Sequence, residues 1–593
     1  MIKKIKQAGA VISRLRPFIA PYKWGFIGAV VMTVLSVAAM TSAPRIEGMI
    51  TTQLAKDAAQ IAGKVPGAGV QFDVIVKILA VLAVIYIIKM ASQVISMFLL
   101  TNSIQSAMHD MRNAVQDKIR RLPVKYFDTH SFGDTLSRVT NDIDSVSNGL
   151  QQSFTQVISG VLTLILVLVM VFTIQPVMAW LVVLIIPVSI LISVAVVRKS
   201  QKHFKAQQDS LGELNGTITE LYTGYNEILL FGRQQSSQER FKEINGRLQK
   251  HALKAQFVSS MMSPLISLSV YLCIGGVAVS GTVFVIQGML TVGNLQAFIR
   301  YIWQCNEPLS QVAQLSAQIQ AAFAGMKRIF EILDEPEEIP DPKPGTRILD
   351  VRGEVSFEHV AFGYGDKPVI KDLDIHIKSG QMVAIVGPTG AGKTTIINLL
   401  LRFYDTDSGR ILIDGVDIKS MKREDLRSMF GMVLQDTWLF SGTIYENIRY
   451  GRLDARKDEV IDAAKTVNVH HFIRTLPKGY DMEIDEEGSN ISQGEKQLLT
   501  IARAVLKDPK ILILDEATSS VDTRLEKILQ EAMHKLLAGR TSFVIAHRLS
   551  TIRNSDAIMV LDHGNIVERG DHAILIREKG IYYQLYTGGL ELD

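Results

Sequence analysis

Nine consecutive residues, Gly387-Pro388-Thr389-Gly390-Ala391-Gly392-Lys393-Thr394-Thr395, have the types and spacing to hold a polyphosphate. An apolar run, Met382 to Val386, precedes them and reads as a buried strand; Ile396 to Leu401 follows and reads as a helix. The pattern G-x-x-x-x-G-K-[ST] between strand and helix is a phosphate-binding loop. Its glycines let backbone N–H groups approach phosphate oxygens, and the helix N-terminus adds positive field. Lys393 is expected to reach the β- and γ-phosphates, and the Thr394 hydroxyl to ligate Mg²⁺.

Further residues fit the same chemistry. Ile511-Leu512-Ile513-Leu514-Asp515-Glu516 reads as a buried strand ending in two carboxylates. Asp515 suits the Mg²⁺ shell, and Glu516 would polarise an attacking water. Gln435 follows the short strand Met432-Val433-Leu434 and is placed to sense Mg²⁺ and water. His547 follows Phe543-Val544-Ile545-Ala546 and is placed to hold the γ-phosphate. A lone Gln or His at a strand end also fits a structural role. Tyr364, in Phe362-Gly363-Tyr364-Gly365, offers a ring to stack on adenine.

The elements around these residues divide the 593-residue chain. Apolar residues make up 47% and charged residues 21%, with the long apolar runs confined to the first half. Crossing a bilayer takes about 20 apolar residues. Six stretches meet that length: 25–47, 74–100, 150–174, 177–197, 258–286 and 293–316. Lys3, Lys4, Lys6, Arg14, Arg16 and Lys23 precede the first; Arg112, Lys118, Arg120, Arg121 and Lys125 follow the second; Arg198, Lys199, Lys202 and Lys205 follow the fourth. The basic side is expected to be cytoplasmic, which puts both termini inside. The net charge of +4 is explained by these segments, so no nucleic-acid partner is inferred. Cys273 and Cys305 lie in apolar segments, without metal-ligand spacing.

The long polar connections, 101–149 and 198–257, keep helical apolar spacing and read as membrane helices continued into the cytoplasm. Two hairpin tips interrupt them, Tyr126 to Asp134 and Gly224 to Gly232, and their exposed aromatic and aliphatic residues should dock on something. In the last span Gln296, Arg300, Gln304, Glu307, Gln311, Gln314 and Gln318 recur at helical spacing. That face is expected to line a water-filled substrate cavity, the alternative being an Arg300–Glu307 pair that only holds the bundle. Lys89 either snorkels to the inner face or faces the same cavity. A Pro-rich linker, 326–350, separates a transmembrane domain, 1–325, from a nucleotide-binding domain, 351–593.

The whole pattern resembles a half-transporter of the ATP-binding-cassette (ABC) exporter family, over nearly its full length. That resemblance implies an all-α six-helix transmembrane domain fused to an α/β P-loop nucleotide-binding domain, with ATP and Mg²⁺ as cofactors. In family terms, Gly387 to Thr394 resembles the Walker A motif. Ile511 to Asp515 resembles Walker B, with Glu516 as catalytic base. Gln435 resembles the Q-loop, with Mg²⁺ contact partly through water. Ser519 to Asp522 resembles the D-loop, His547 the switch histidine and Tyr364 the A-loop aromatic. The hairpin tips resemble coupling helices, which in this family dock on nucleotide-binding domains.

One motif departs from the family. Where the signature reads L-S-G-G-Q, this chain has Ile491-Ser492-Gln493-Gly494-Glu495. Gln493 puts a side chain where glycine permits close approach to phosphate. Glu495 puts a carboxylate near a polyanion, which repels unless Lys496 compensates. In the family each ATP lies between the Walker motifs of one subunit and the signature of the other, and chains with an altered signature often pair with a different chain. The expectation is therefore a heterodimer whose working site uses this chain's Walker motifs; a homodimeric exporter and an ATP-gated, channel-like member stand as alternatives. An importer fits less well, and with no N-terminal peptidase domain a leader-cleaving peptide exporter is not expected. Amphiphilic drugs or lipids are the expected cargo, and a bacterial plasma membrane the expected location.

Overall fold

The computed structural model describes residues 13–365, 367–434, 437–485, 490–516, 523–546 and 552–587. The chain packs as two compact units. One runs to Pro336, with Leu122–Thr129 set apart from it; the other combines Leu122–Thr129 with the chain from Glu337 onward.

The first unit is helical. Its main helices are α1 (Lys23–Ala62), α2 (Phe72–Ile119), α4 (Ile143–Ile174), α5 (Pro176–Thr223), α6 (Tyr225–Leu230), α7 (Gln234–Ser260), α8 (Met262–Ile286), α9 (Val292–Gln304) and α10 (Asn306–Asp334). The short α3 (Val124–Thr129) belongs to the second unit. Among the described residues, five helical stretches are long and apolar enough to cross a membrane: Ser13–Ala62, Phe72–Ile119, Phe132–Ile174, Pro176–Thr223 and Gln234–Ile286. They contain the first five expected spans. At 1.5 Å per residue, the 48 residues of α2 extend roughly 70 Å, more than twice the ~30 Å hydrocarbon core.

The sixth expected span, 293–316, is not one uninterrupted helix. It falls on α9 and α10, which part at Cys305. The cause is local: Pro308 has no N–H to give the Gln304 carbonyl one turn back, so the helix breaks there. On α9 the residues Phe298, Tyr301 and Ile302 are fully buried against Val171 of α4, Val182 of α5 and Val270 of α8. That packing turns Arg300 and Gln304 towards the other side. Gly293 and Gly48 meet where α9 crosses α1: a Cβ on Gly48 would lie 2.3 Å from the Gly293 carbonyl oxygen. Small residues at a crossing let backbones approach, as membrane helices require.

The second unit is built on two sheets. β1 (Val355–Tyr364), β2 (Lys367–Ile377), β4 (Ser408–Ile413) and β5 (Val416–Asp417) form an antiparallel sheet in the order β2-β1-β4-β5. The larger sheet joins β3 (Met382–Val386), β6 (Phe430–Val433), β9 (Ile511–Glu516), β10 (Thr541–Ala546), β11 (Ala557–Asp562) and β12 (Asn565–Gly570), in the order β12-β11-β3-β10-β9-β6. A two-stranded ribbon, β7 (Gly442–Thr443) with β8 (Glu483–Ile484), lies apart from both. In β9, Leu512 and Leu514 enter one core while Ile511 and Ile513 enter the other. A strand buried on both faces is what a parallel sheet covered on both sides demands.

The helix α10 runs to Asp334, into the stretch expected as a linker, because Met326 to Asp334 keeps helical apolar spacing until Pro336. Beyond it the chain is pinned: Arg423 donates to Asp341 at 2.6 Å and to the Ile339 carbonyl at 2.7 Å.

Candidate functional site

The phosphate loop leaves β3 and enters α11 (Lys393–Leu400). Gly392 has φ +106°, and a Cβ there would lie 2.8 Å from Ile370; one on Gly387 would lie 2.2 Å from the Leu561 carbonyl oxygen. Both positions need glycine. Lys393 Nζ donates to the carbonyl of Gly387 at 2.5 Å and of Pro388 at 3.4 Å, so the loop curls around its own ammonium. The order β3-β10-β9 sets Ile385, Ile545 and Asp515 in one row, two strand spacings or about 10 Å across. Asp515 accordingly shares a cavity of 430 Å³ with Gly390, Lys393, Thr394, Thr395 and Tyr364. The residues fit a nucleotide triphosphate with Mg²⁺: glycine-cleared backbone, one ammonium, two hydroxyls and one carboxylate converge.

Tyr364 stands edge-on to Phe362 at 5.0 Å and to Tyr404 at 5.1 Å, and its hydroxyl lies 3.4 Å from Thr395 Oγ1. The Tyr404 hydroxyl donates to Asp128 of α3, the first hairpin tip. Burial, and then that bond, push the Tyr404 phenol well above its usual range. Asp128 thus stands at the aromatic edge of the nucleotide cavity. The second tip, α6, is exposed in this chain: Leu230 is 80% and Phe231 72% accessible. Tyr404 was not legible as a site residue, since nothing in sequence links it to Asp128.

The altered signature opens helix α12 (Gln493–Lys507), with Ser492 as N-cap. Glu495 does not simply project towards solvent, as a lone repelling carboxylate would. It turns back and accepts from the Ser492 N–H at 2.9 Å and the Ser492 hydroxyl at 2.6 Å. This is a capping box, S-x-x-E before an apolar run, a signal present in the sequence. Gln493 donates to Thr437 Oγ1 at 3.3 Å. Gly494 is buried. Gln435, His547 and the segment Ser519 to Asp522 lie outside the described residues, as does the side chain of Glu516.

In the membrane unit the polar stripe divides. Gln304 and Glu307 line two neighbouring cavities, of 360 and 280 Å³, and Lys89 lines both with them. Arg300 lines the smaller only, and Gln296 lines neither; it accepts a hydrogen bond from Thr51. Arg300 pairs not with Glu307 but with Glu47 of α1, at 3.2 Å, and Glu47 also accepts from Tyr86 at 2.7 Å. Glu47 closes the first expected span, and its partner, 253 residues away, is fixed only by the α1–α9 crossing. An unpaired charge inside the membrane is costly, and the pairing lessens that cost for Arg300 and Glu47. Pro44 leaves the Met40 carbonyl without its helical donor, and Gln304 Nε2 supplies one at 3.4 Å.

A phosphate cradle on an α/β unit, joined to a bundle of long apolar helices, defines a membrane machine driven by a nucleotide. Residues 26–309 match the ABC transporter transmembrane region and residues 370–519 the ABC transporter domain. A fatty acid ABC transporter ATP-binding/permease protein of Mycobacterium bovis is 48% identical over 522 residues, 88% of this chain and 82% of that protein. An ATP-dependent lipid A-core flippase of Syntrophus aciditrophicus is 35% identical over 507 residues, 85% of this chain and 84% of its own. The structure of a bacterial Atm1-family ABC exporter with ATP bound matches with a TM-score of 0.72 at 29% identity, covering 96% of this chain and 99% of that one. This chain belongs to the ABC transporter family and has the exporter fold. It is an ATP-hydrolysing, multi-pass integral membrane transporter.

Proposed function

We propose that this chain is one half of a heterodimeric exporter that moves amphiphilic lipids or drugs out across a bacterial plasma membrane, with both termini cytoplasmic. The observation that carries the pairing is the Ser492–Glu495 box. A partner's γ-phosphate needs the Ser492 hydroxyl and the N-terminus of α12; Glu495 holds the first and sets a carboxylate beside the second. At 4 Å and an effective dielectric constant of 20, two unit charges repel by about 4 kcal/mol, against roughly 0.5 kcal/mol gained from a helix N-terminus. Repulsion wins, so the site completed by this signature is weak or non-hydrolytic. The working site uses this chain's Lys393, Thr394, Asp515 and Gln435 to hold the phosphates and Mg²⁺. Glu516 orients and polarises water there, His547 holds the γ-phosphate, and Tyr364 faces the adenine. ATP favours closure of two nucleotide-binding domains, which the hairpin tips carry to the membrane helices. The exposed second tip is the surface offered to the partner.

The test is ATP-dependent flux of a labelled amphiphile into inside-out vesicles, with and without a partner chain bearing an intact L-S-G-G-Q. Flux is expected only with both chains, and Glu516→Gln in this chain should abolish it while ATP binding persists. Flux at the original rate in the Glu516→Gln variant would remove Glu516 from its role, and gating without flux would support the channel-like alternative.

A further inference from the structure

The intramembrane charges do not all cancel locally. Glu47 is taken up by Arg300 and Tyr86. The Lys89 ammonium makes no hydrogen bond or ion pair among the described residues, although it lines both cavities; its carbonyl accepts from Ser36. Among the described residues Glu307 accepts from Gln311 alone, at 3.0 Å. The side-chain oxygen of Gln304 is buried and has no hydrogen-bond partner among the described residues. These three groups share the same walls: one unused cation, one carboxylate with spare lone pairs, and one orphaned acceptor. Buried polar atoms in native proteins are rarely left unpaired, so an orphan beside a cavity marks a place where a donor binds. The larger cavity also has apolar lining residues, including Val37, Met97 and Leu100, of the kind that receive an acyl chain.

We propose that this cavity is the head-group site for a zwitterionic amphiphile, whose anionic group sits on Lys89 and whose cationic N–H donors reach Glu307 and Gln304. A purely anionic head satisfies Lys89 but faces Glu307 as a like charge and brings no donor to Gln304. A purely cationic head satisfies Glu307 and opposes Lys89. Only a head carrying both signs uses all three groups. The assignment rests on the exporter reading for its meaning as a substrate site, but the binding it describes does not depend on transport.

The test is equilibrium binding of labelled lysophosphatidylethanolamine to the full-length transporter in nanodiscs without ATP. Lysophosphatidic acid and dodecyltrimethylammonium serve as single-charge probes. The zwitterion is expected to bind at least fivefold more tightly than either. Lys89→Met and Glu307→Gln should each weaken it about tenfold, and Lys89→Arg should retain it, which separates a lost charge from a lost fold. Glu307→Gln should leave lysophosphatidic acid binding equal or tighter. Equal affinity for all three probes, or zwitterion binding indifferent to Lys89→Met, would overturn the assignment. Vesicle flux keeps the two claims apart. Flux of amphiphiles that ignores Lys89 leaves the exporter and removes the head-group site. Lys89-dependent binding without flux does the reverse.

Discussion

Two helix starts in the same domain face the same task and are built oppositely. At α11 the turn before the helix is cleared by Gly387 and Gly392, where no Cβ fits, and Lys393 donates to carbonyls of its own loop. At α12 the turn is closed by Glu495, which already occupies the Ser492 N–H and hydroxyl. Both helices carry the same backbone dipole, so the dipole does not decide which end binds a polyphosphate. What decides is whether the N-terminal donors are free and which charge stands next to them. A capping box stabilises its own helix by about 1 kcal/mol, and here the same bonds fix a carboxylate at the helix start.

The largest expected effect tests the open end. Lys393→Ala should lower ATP turnover of the assembled transporter roughly 10²–10³-fold, measured as phosphate release, with the fold retained. Turnover within threefold of the parent would break the comparison at its stronger side. The next test is at the closed end. Glu495→Gln keeps a capping-box residue but removes the charge, so the helix should keep its stability within about 1 kcal/mol. Nucleotide occupancy of the second site, counted by photoaffinity labelling, should rise about tenfold, and no rise would mean that charge is not what closes it.

A smaller effect is expected beside the open end. Tyr404→Phe removes the bond to Asp128 of the first hairpin tip. A hydrogen bond to a charged group contributes about 1.5–3 kcal/mol, less when partly exposed, so transport per ATP hydrolysed should fall a few-fold while hydrolysis itself changes little. An unchanged ratio of transport to hydrolysis would show that the aromatic edge carries no coupling. The smallest effect belongs to Gln493→Gly, which removes only the bond to Thr437 and should change second-site occupancy by less than about twofold while Glu495 remains.

The open end was legible because all its parts are contiguous: strand, glycine turn, lysine and helix follow one another from Met382 to Leu401. Asp515 was legible because a strand buried on both faces ends on it. The capping box stands in the sequence as Ser492 and Glu495, three residues apart, but the same residues also read as a signature that has lost a glycine. The partner of Arg300 was not legible. Helical spacing offered Glu307, on the same chain segment, while Glu47 enters only through a glycine crossing between α1 and α9. The break at Cys305 could be suspected from Pro308 alone, but not the donation of Gln304 to the Met40 carbonyl freed by Pro44. Contacts set by tertiary crossings leave no periodic trace in either participating segment.

The measurement that reaches the central claim most directly is the ATPase activity and mass of this chain purified alone, then co-expressed with a chain carrying L-S-G-G-Q. The account predicts little hydrolysis alone and restored hydrolysis in a one-to-one complex, with activity dependent on Lys393 of this chain. Robust hydrolysis by a particle of two identical copies would contradict it, since the end closed by Glu495 would then be serving as a working half-site.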